Sequence, residues 1–239
     1  MTNKKTIIIT GSLGQNGKIL SRLLVEKGYQ VIGVLFKNNK NKEKKVKYIN
    51  LDLKNLKLLS KSINKFKPTH IIHFGSKNPS YEDKDNFYKE NYVVAKNIID
   101  SIIKINKNII FIFPNTSQIF KKKNYVNEND KFKITNTYTK FRIKIYEYLK
   151  FKKKTENLKF CNLILFNHDS RYRKKTFLLP RLISYVKKRD FESIKNIYKE
   201  NIIVDFSHAE DICNAIYLII KKNICIDKLI LSSGKKTYI

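Results

Sequence analysis

Two kinds of hydrophobic pattern alternate along this chain. Apolar runs of strand length occupy residues 6–10, 30–36, 46–51, 70–74, 108–113 and 159–166, with weaker runs at 201–204 and 228–232. Between them lie stretches in which apolar positions recur every three or four residues, at 18–27, 55–66, 88–105, 137–154, 176–188 and 210–221. Strand-length runs separated by amphipathic helical stretches are the signature of βαβ units around a parallel sheet, so the predicted class is doubly wound α/β. No segment repeats at a fixed period. The expected organisation is one larger domain over residues 1–166, followed by a small, reduced lobe over 167–239 that also returns elements to the main sheet.

Composition narrows this picture in three ways. At 239 residues and 42% hydrophobic content the chain can bury one main core. No apolar run reaches the ~18 residues needed to cross a bilayer, and "MTNKK" leads into a strand without a signal-peptide core, so a cytoplasmic protein with no membrane partner is expected. Cys161, Cys213 and Cys225 form no CxxC pair and His70, His73, His168 and His208 show no metal-ligand spacing, so neither a disulfide nor a metal site is expected. Core packing is the role expected of His70 and His73.

The net charge of +30 raises the question of nucleic acid. Only six of the 50 basic residues are Arg, Ala occurs three times and Trp never, a bias that AT-rich coding produces in any protein. The lysines are also spread over the whole length. A solvated coat that attracts anionic small molecules, without nucleic-acid binding, is the reading.

The stretch "TIIITGSLGQNG" breaks a strand on Gly11, Gly14 and Gly17 and then opens a helix. In that context glycines let the backbone turn tightly and approach a pyrophosphate, whose charge meets the free N–H groups and the positive end of the helix dipole. This is the phosphate turn of a Rossmann-type dinucleotide site. At the end of the second strand the chain reads "GVLFKNNK", with Lys37 where an acid would take the ribose hydroxyls of NAD. NADP is therefore the expected cofactor, with NAD as the alternative. Asp52, just past the third strand, is placed to meet the adenine edge.

The chain resembles the extended short-chain dehydrogenases/reductases of the nucleotide-sugar epimerase and dehydratase group. The motifs that carry this are "TGSLGQNG", "PTHIIHFGS", "NTSQIF", "NTYTKFR", "LFNHDS", "TFLLPRLI" and "DFSHAEDICNAIYLI". "LFNHDS" and the Gln of the glycine turn are most similar to the GDP-mannose 4,6-dehydratases. The resemblance implies a nucleotide-sugar substrate, a GDP-hexose first, with chemistry at C4 of the hexose. It places Thr116 and Tyr138 beside the nicotinamide, with Tyr138 as the base for a sugar hydroxyl. It adds Gln15, Asn16, Leu53, Phe74 and Arg142 to the cofactor's surroundings, and gives Asn167, His168 and Arg181 to the substrate. It also implies a homodimer through helices 88–105 and 137–154.

Three departures fall on catalysis and substrate. The family's Tyr-xxx-Lys becomes Tyr138 to Arg142, which keeps the charge in a bulkier, planar form. A literal YxxxK at Tyr146 to Lys150 begins two turns further on, about 12 Å along the axis, and is read as coincidence. The dehydratases' catalytic Glu appears as Gln118, an amide with no useful basicity. The Arg expected before "DFSHAED" is Val204, and the chain stops soon after "SSGKK", so the substrate lobe is expected to be reduced. Epimerase, 4-keto reductase and a cofactor-binding protein with little catalysis stand as alternatives to the dehydratase.

Overall fold

The structure is a computed structural model that describes residues 4–35, 43–76, 84–121, 123–199 and 202–238, with the backbone alone at 84–88. The elements run β1 (Thr6–Thr10), α1 (Gln15–Glu26), β2 (Gln30–Leu35), β3 (Lys47–Asn50), α2 (Leu56–Phe66), β4 (His70–His73), α3 (Lys84–Ile105), β5 (Ile110–Thr116) and α4 (Thr137–Glu156). There follow β6 (Phe160–Leu165), β7 (Asn167–Asp169), α5 (Leu178–Lys188), α6 (Phe191–Lys199), β8 (Ile203–His208), α7 (Ala209–Lys221), β9 (Ile226–Leu231) and β10 (Lys236–Tyr238).

Seven strands form one parallel sheet in the order β3-β2-β1-β4-β5-β6-β9. Helices cover both faces, which is why β1, β4 and β6 are buried along their whole length. On one face Leu59 and Ile63 of α2, Ile98 and Ile102 of α3, and Phe141 and Leu149 of α4 pack with Phe111 and Phe113 of β5. On the other, Leu20 and Leu24 of α1 meet Ile212 and Ile216 of α7 against Ile7, Ile9 and Leu163. The order reverses between β1 and β4, so the crevice at their carboxyl ends is the switch point where open α/β sheets bind ligands.

A second sheet, in the order β10-β8-β7, stands beyond the end of β6. There α6 was not legible from its short, mixed pattern; the Asp190 carboxylate caps it, accepting from the N–H of Ser193 at 3.1 Å and from its hydroxyl at 2.7 Å. Helix α5 begins at Leu178 rather than Thr176, because Phe177 is its N-cap residue. Pro180 is then tolerated in the first turn, where its missing N–H has no partner to lose. Strand β5 runs past Pro114 to Thr116; its pairing with β4 stops at Ile112, while that with β6 continues.

Candidate active site

Strand β1 ends in the glycine turn, and the turn's geometry depends on having no side chains. Gly11 has φ +65°, and a Cβ there would lie 2.6 Å from the backbone N of Gly75. A Cβ on Gly17 would lie 2.3 Å from the Gly11 carbonyl oxygen and 2.6 Å from Ser12 Cα. The Gly14 N–H donates to the Gly11 oxygen at 3.0 Å, and Gly14 then serves as the N-cap residue of α1 without any side-chain cap or acid in the first turn. Uncapped N–H groups and the positive end of the dipole are left to an anion. The neighbouring strand is tied in through Thr10, whose hydroxyl accepts from the Gly75 N–H at 3.1 Å and bonds His73 Nδ1 at 2.7 Å.

Beyond the turn opens a cleft of about 640 Å³. Its far wall is built by the start of α4. Asn136 caps this helix, its side chain accepting from the Thr139 N–H at 2.9 Å while the Thr139 hydroxyl accepts from the Asn136 N–H at 3.1 Å. The box sets Tyr138 in the first turn, with Arg142 one turn along the same face, and both line the cleft. The Arg142 guanidinium stands 5.1 Å from the centre of the Tyr138 ring, and its Nη1 donates to the Pro114 carbonyl at 2.6 Å. Thr116, at the end of β5, lines the cleft and accepts weakly from the Gln118 N–H at 3.4 Å. Gln118 is exposed and also faces the cleft. Tyr146 lies elsewhere, buried edge-on against Phe132 at 5.0 Å with its phenol pushed up to about 12 by burial.

The opposite wall is made by residues 167–181. Asn167, His168 and Arg181 are all on it, and so is Arg173. The Arg173 guanidinium sits over Phe177, 3.7 Å from the ring centre, with Nε 3.0 Å from Asp169 Oδ1 but not aligned for a hydrogen bond. Burial raises the Asp169 carboxyl and lowers the Arg173 guanidinium, and each partner's charge opposes the other's shift. Gln15 and Asn16 reach this wall with their side chains. Gln15 Nε2 donates to the His168 carbonyl at 3.2 Å, and Asn16 Nδ2 donates to His168 Nε2 at 2.9 Å. The tautomer follows from the 2.7 Å contact between His168 Nδ1 and the Phe166 carbonyl: a carbonyl only accepts, so Nδ1 carries the proton and Nε2 is the acceptor.

Sequence reasoning did not find Arg173, which is one basic residue among several in "SRYRKK". Nor did it place His73 at the cleft: the side chain is buried as expected and stacked near Phe113, yet it also lines the cleft. Burial, helped by the nearby Arg142 charge, holds its imidazole down to about 3, so it is neutral. Phe74 is on the cleft wall. Asp52 and Leu53 are not: the Asp52 carboxylate caps the N–H of Lys54 at 2.9 Å, and Leu53 packs against the core. Lys37 lies outside the described residues. No group of three or more His, Cys, Asp or Glu among the described residues could hold a metal ion.

The cleft fits a nicotinamide dinucleotide. Its turn holds the close backbone approach that a Cβ on Gly11 or Gly17 would break, and His73 Nε2, Ser76 Oγ and Arg142 Nε are buried around it without a partner among the described residues. Fold and site together define a dinucleotide-binding α/β protein of the short-chain dehydrogenase/reductase kind. More particularly, the chain belongs to the NAD dependent epimerase/dehydratase family, whose model matches residues 7–227. It is 24% identical over 261 residues to GDP-mannose 4,6 dehydratase 2 of Caenorhabditis elegans, covering 98% of this chain and 67% of that one. To the human GDP-mannose 4,6 dehydratase it is 23% identical over 244 residues, covering 92% and 66%. The chain thus spans about two thirds of the length of these relatives. Among solved structures, UDP-glucose 4-epimerase from Brucella ovis in complex with NAD superposes with a TM-score of 0.84 at 19% identity, covering 98% of this chain and 79% of that one. The Bacillus anthracis dTDP-glucose 4,6-dehydratase, also with NAD, gives 0.82 at 15%, covering 98% and 77%. No helix among the described residues is long and apolar enough to cross a membrane.

Proposed function

We propose that the protein is an NADP-dependent nucleotide-sugar enzyme that works at C4 of a nucleotide-bound hexose, with Tyr138 as its acid and base. The observation that carries this is the composition of the cleft wall: Tyr138 and Thr116 line the same cleft as the glycine turn, three guanidinium groups (Arg142, Arg173, Arg181) line it too, and no carboxylate among the described residues does. The cations suit a nucleotide diphosphate. When bound, the dinucleotide supplies the hydride acceptor. Tyr138 Oη takes the proton of the C4 hydroxyl as that carbon is oxidised, and Thr116 orients the same oxygen. Arg142 packs its guanidinium against the Tyr138 ring and so helps to hold the phenol in place on the cleft wall.

A 4-keto sugar formed in this way has an acidic C5 proton, but Gln118 cannot remove it. The reading therefore favours epimerase or 4-keto reductase chemistry over the complete 4,6-dehydration that the names of the relatives describe. A GDP-hexose is the first substrate to try, since those relatives are GDP-mannose dehydratases. Lys37 supports NADP over NAD; the solved neighbours carry NAD. Helices α3 and α4 pack together and expose Val93 and Phe151, which is consistent with a homodimer through this face. Three unpaired cysteines are in keeping with a cytoplasmic setting. The alternative, a cofactor-binding protein with little catalysis, draws support from Arg142, whose Nη1 is already bonded to Pro114.

The test is Tyr138→Phe. Hydride transfer to or from a nucleotide-sugar is expected to vanish, while NADPH affinity by fluorescence titration stays within about twofold of wild type. Normal turnover by this variant would overturn the assignment. Wild type that binds NADPH but transfers no hydride with any nucleotide-sugar would favour the alternative.

A further inference from the structure

The glycine turn and the opposite wall of the cleft are 150 residues apart in the chain, yet they are fastened by side chains of the turn itself. The Gln15 amide makes a bond at each end: Nε2 donates to the His168 carbonyl at 3.2 Å, and Oε1 accepts from the Ser170 hydroxyl at 3.1 Å. The Ser170 oxygen in turn accepts from the Tyr172 N–H at 3.2 Å, and the Ser170 carbonyl accepts from the Arg173 N–H at 2.9 Å. The segment that presents Arg173 to the cleft is therefore folded around the Gln15 amide. Asn16 adds a bond to the buried His168, on a nitrogen that the tautomer makes an acceptor. Meanwhile the main-chain N–H groups of Gln15 and Asn16 belong to the uncapped first turn of α1.

One pair of residues thus offers its backbone to one ligand and its side chains to the wall that receives the other. We infer that Gln15 is a positioning residue that couples the two sites: occupation of the glycine turn by a dinucleotide stiffens residues 167–173 and sets Arg173 for an anionic substrate. The coupling itself requires only the two bonds of Gln15 and a ligand on the turn; its use in catalysis rests on the function proposed above. Because linkage is reciprocal, a nucleotide-sugar held by Arg173 would tighten the dinucleotide by the same factor. Typical couplings are roughly 5- to 150-fold.

Hydrogen exchange, with NADPH as the probe, reads the coupling without needing the true substrate. In wild type, saturating NADPH is expected to slow exchange of the amides in 167–173 by about fivefold or more, as well as those of the turn. In Gln15→Leu, whose side chain makes neither bond, with NADPH raised until the variant is saturated at its own measured affinity, 167–173 is expected to exchange at the cofactor-free rate. Ser170→Ala, a milder change outside the cleft wall, should give an intermediate loss, and it decides the matter if Gln15→Leu is poorly folded. Protection of 167–173 that is absent in wild type, or that is undiminished in both variants, would overturn the inference. A parallel titration with GDP-mannose and UDP-glucose tests the functional reading separately: failure of both to bind a protein whose 167–173 segment does respond to NADPH would count against that reading and leave the coupling standing.

Discussion

Replacing Gly17 with Ala isolates what the glycine turn does. The new Cβ would stand 2.3 Å from the Gly11 carbonyl oxygen and 2.6 Å from Ser12 Cα, over 1 Å short of ordinary contact, and the atoms it meets are backbone that cannot rotate away. Helix α1 must move off the turn, although Leu20 and Leu24 on its inner face are fully buried. Overpacking of this kind costs about 1–3 kcal/mol, partly offset by the ~1 kcal/mol that Ala gains over Gly in a helix. The net loss of stability is small. The effect on binding is larger, because N–H groups displaced by about 1 Å leave hydrogen-bond range of a phosphate, and each charge-assisted bond contributes about 1.5–3 kcal/mol. A 30-fold or greater loss of NADPH affinity is expected, read by fluorescence titration of a variant whose fold is checked by circular dichroism. Gly28→Ala is the control: φ there is +87° with nothing within 4 Å, so Ala strains the backbone without touching the turn. It should cost about 1 kcal/mol of stability and leave NADPH affinity unchanged. A folded Gly17→Ala protein that binds NADPH like wild type would refute the reasoning.

Two other outcomes are expected. NADPH should bind more tightly than NADH, and Lys37→Asp should reverse the order; identical titration curves for the two cofactors in wild type would remove NADP from the account. Stability should fall in mild acid, because His70 and His73 are held down to about 4 and about 3 by burial, with Lys5 and Arg142 adding to the effect. Each is neutral when folded and takes up a proton on unfolding below the ordinary value near 6.5, so stability is full above that pH and declines as pH falls toward 4. Between pH 7 and pH 5 the two together account for a loss of ~3–4 kcal/mol, measurable as a lower urea midpoint, and His73→Asn should make the dependence shallower.

The sequence revealed those parts of the molecule that depend on local pattern. Covered parallel strands read as apolar runs, the turn needs glycine at three fixed positions, and Tyr138 and Arg142 share a face by helical spacing. What it concealed depends on contacts between distant residues. Gln15 and Asn16 were placed at the cofactor by their motif, but their side chains are engaged over 150 residues away, with His168 and Ser170. Arg173 is one cation among many until Asp169 and Phe177 fix it at the cleft. His73 fits a buried strand end, and only Thr10 across the sheet and the opening beside it distinguish it from packing. Helix α6 carried a legible signal in the Asp190 to Ser193 cap, outweighed by its shortness and mixed pattern.

The central claim is hydride transfer at C4 without elimination, and product analysis tests it most directly. Wild type and Gln118→Glu are incubated with NADP and GDP-mannose, and the nucleotide-sugars are followed by mass. Wild type should give oxidised (4-keto) or epimerised hexose that retains all its oxygen atoms. Gln118→Glu, which restores a carboxylate of nearly the same volume on the cleft wall, should raise release of the 6-deoxy-4-keto sugar by about 10²-fold or more, the usual contribution of a general base. Rapid formation of the 6-deoxy-4-keto product by wild type would contradict the account.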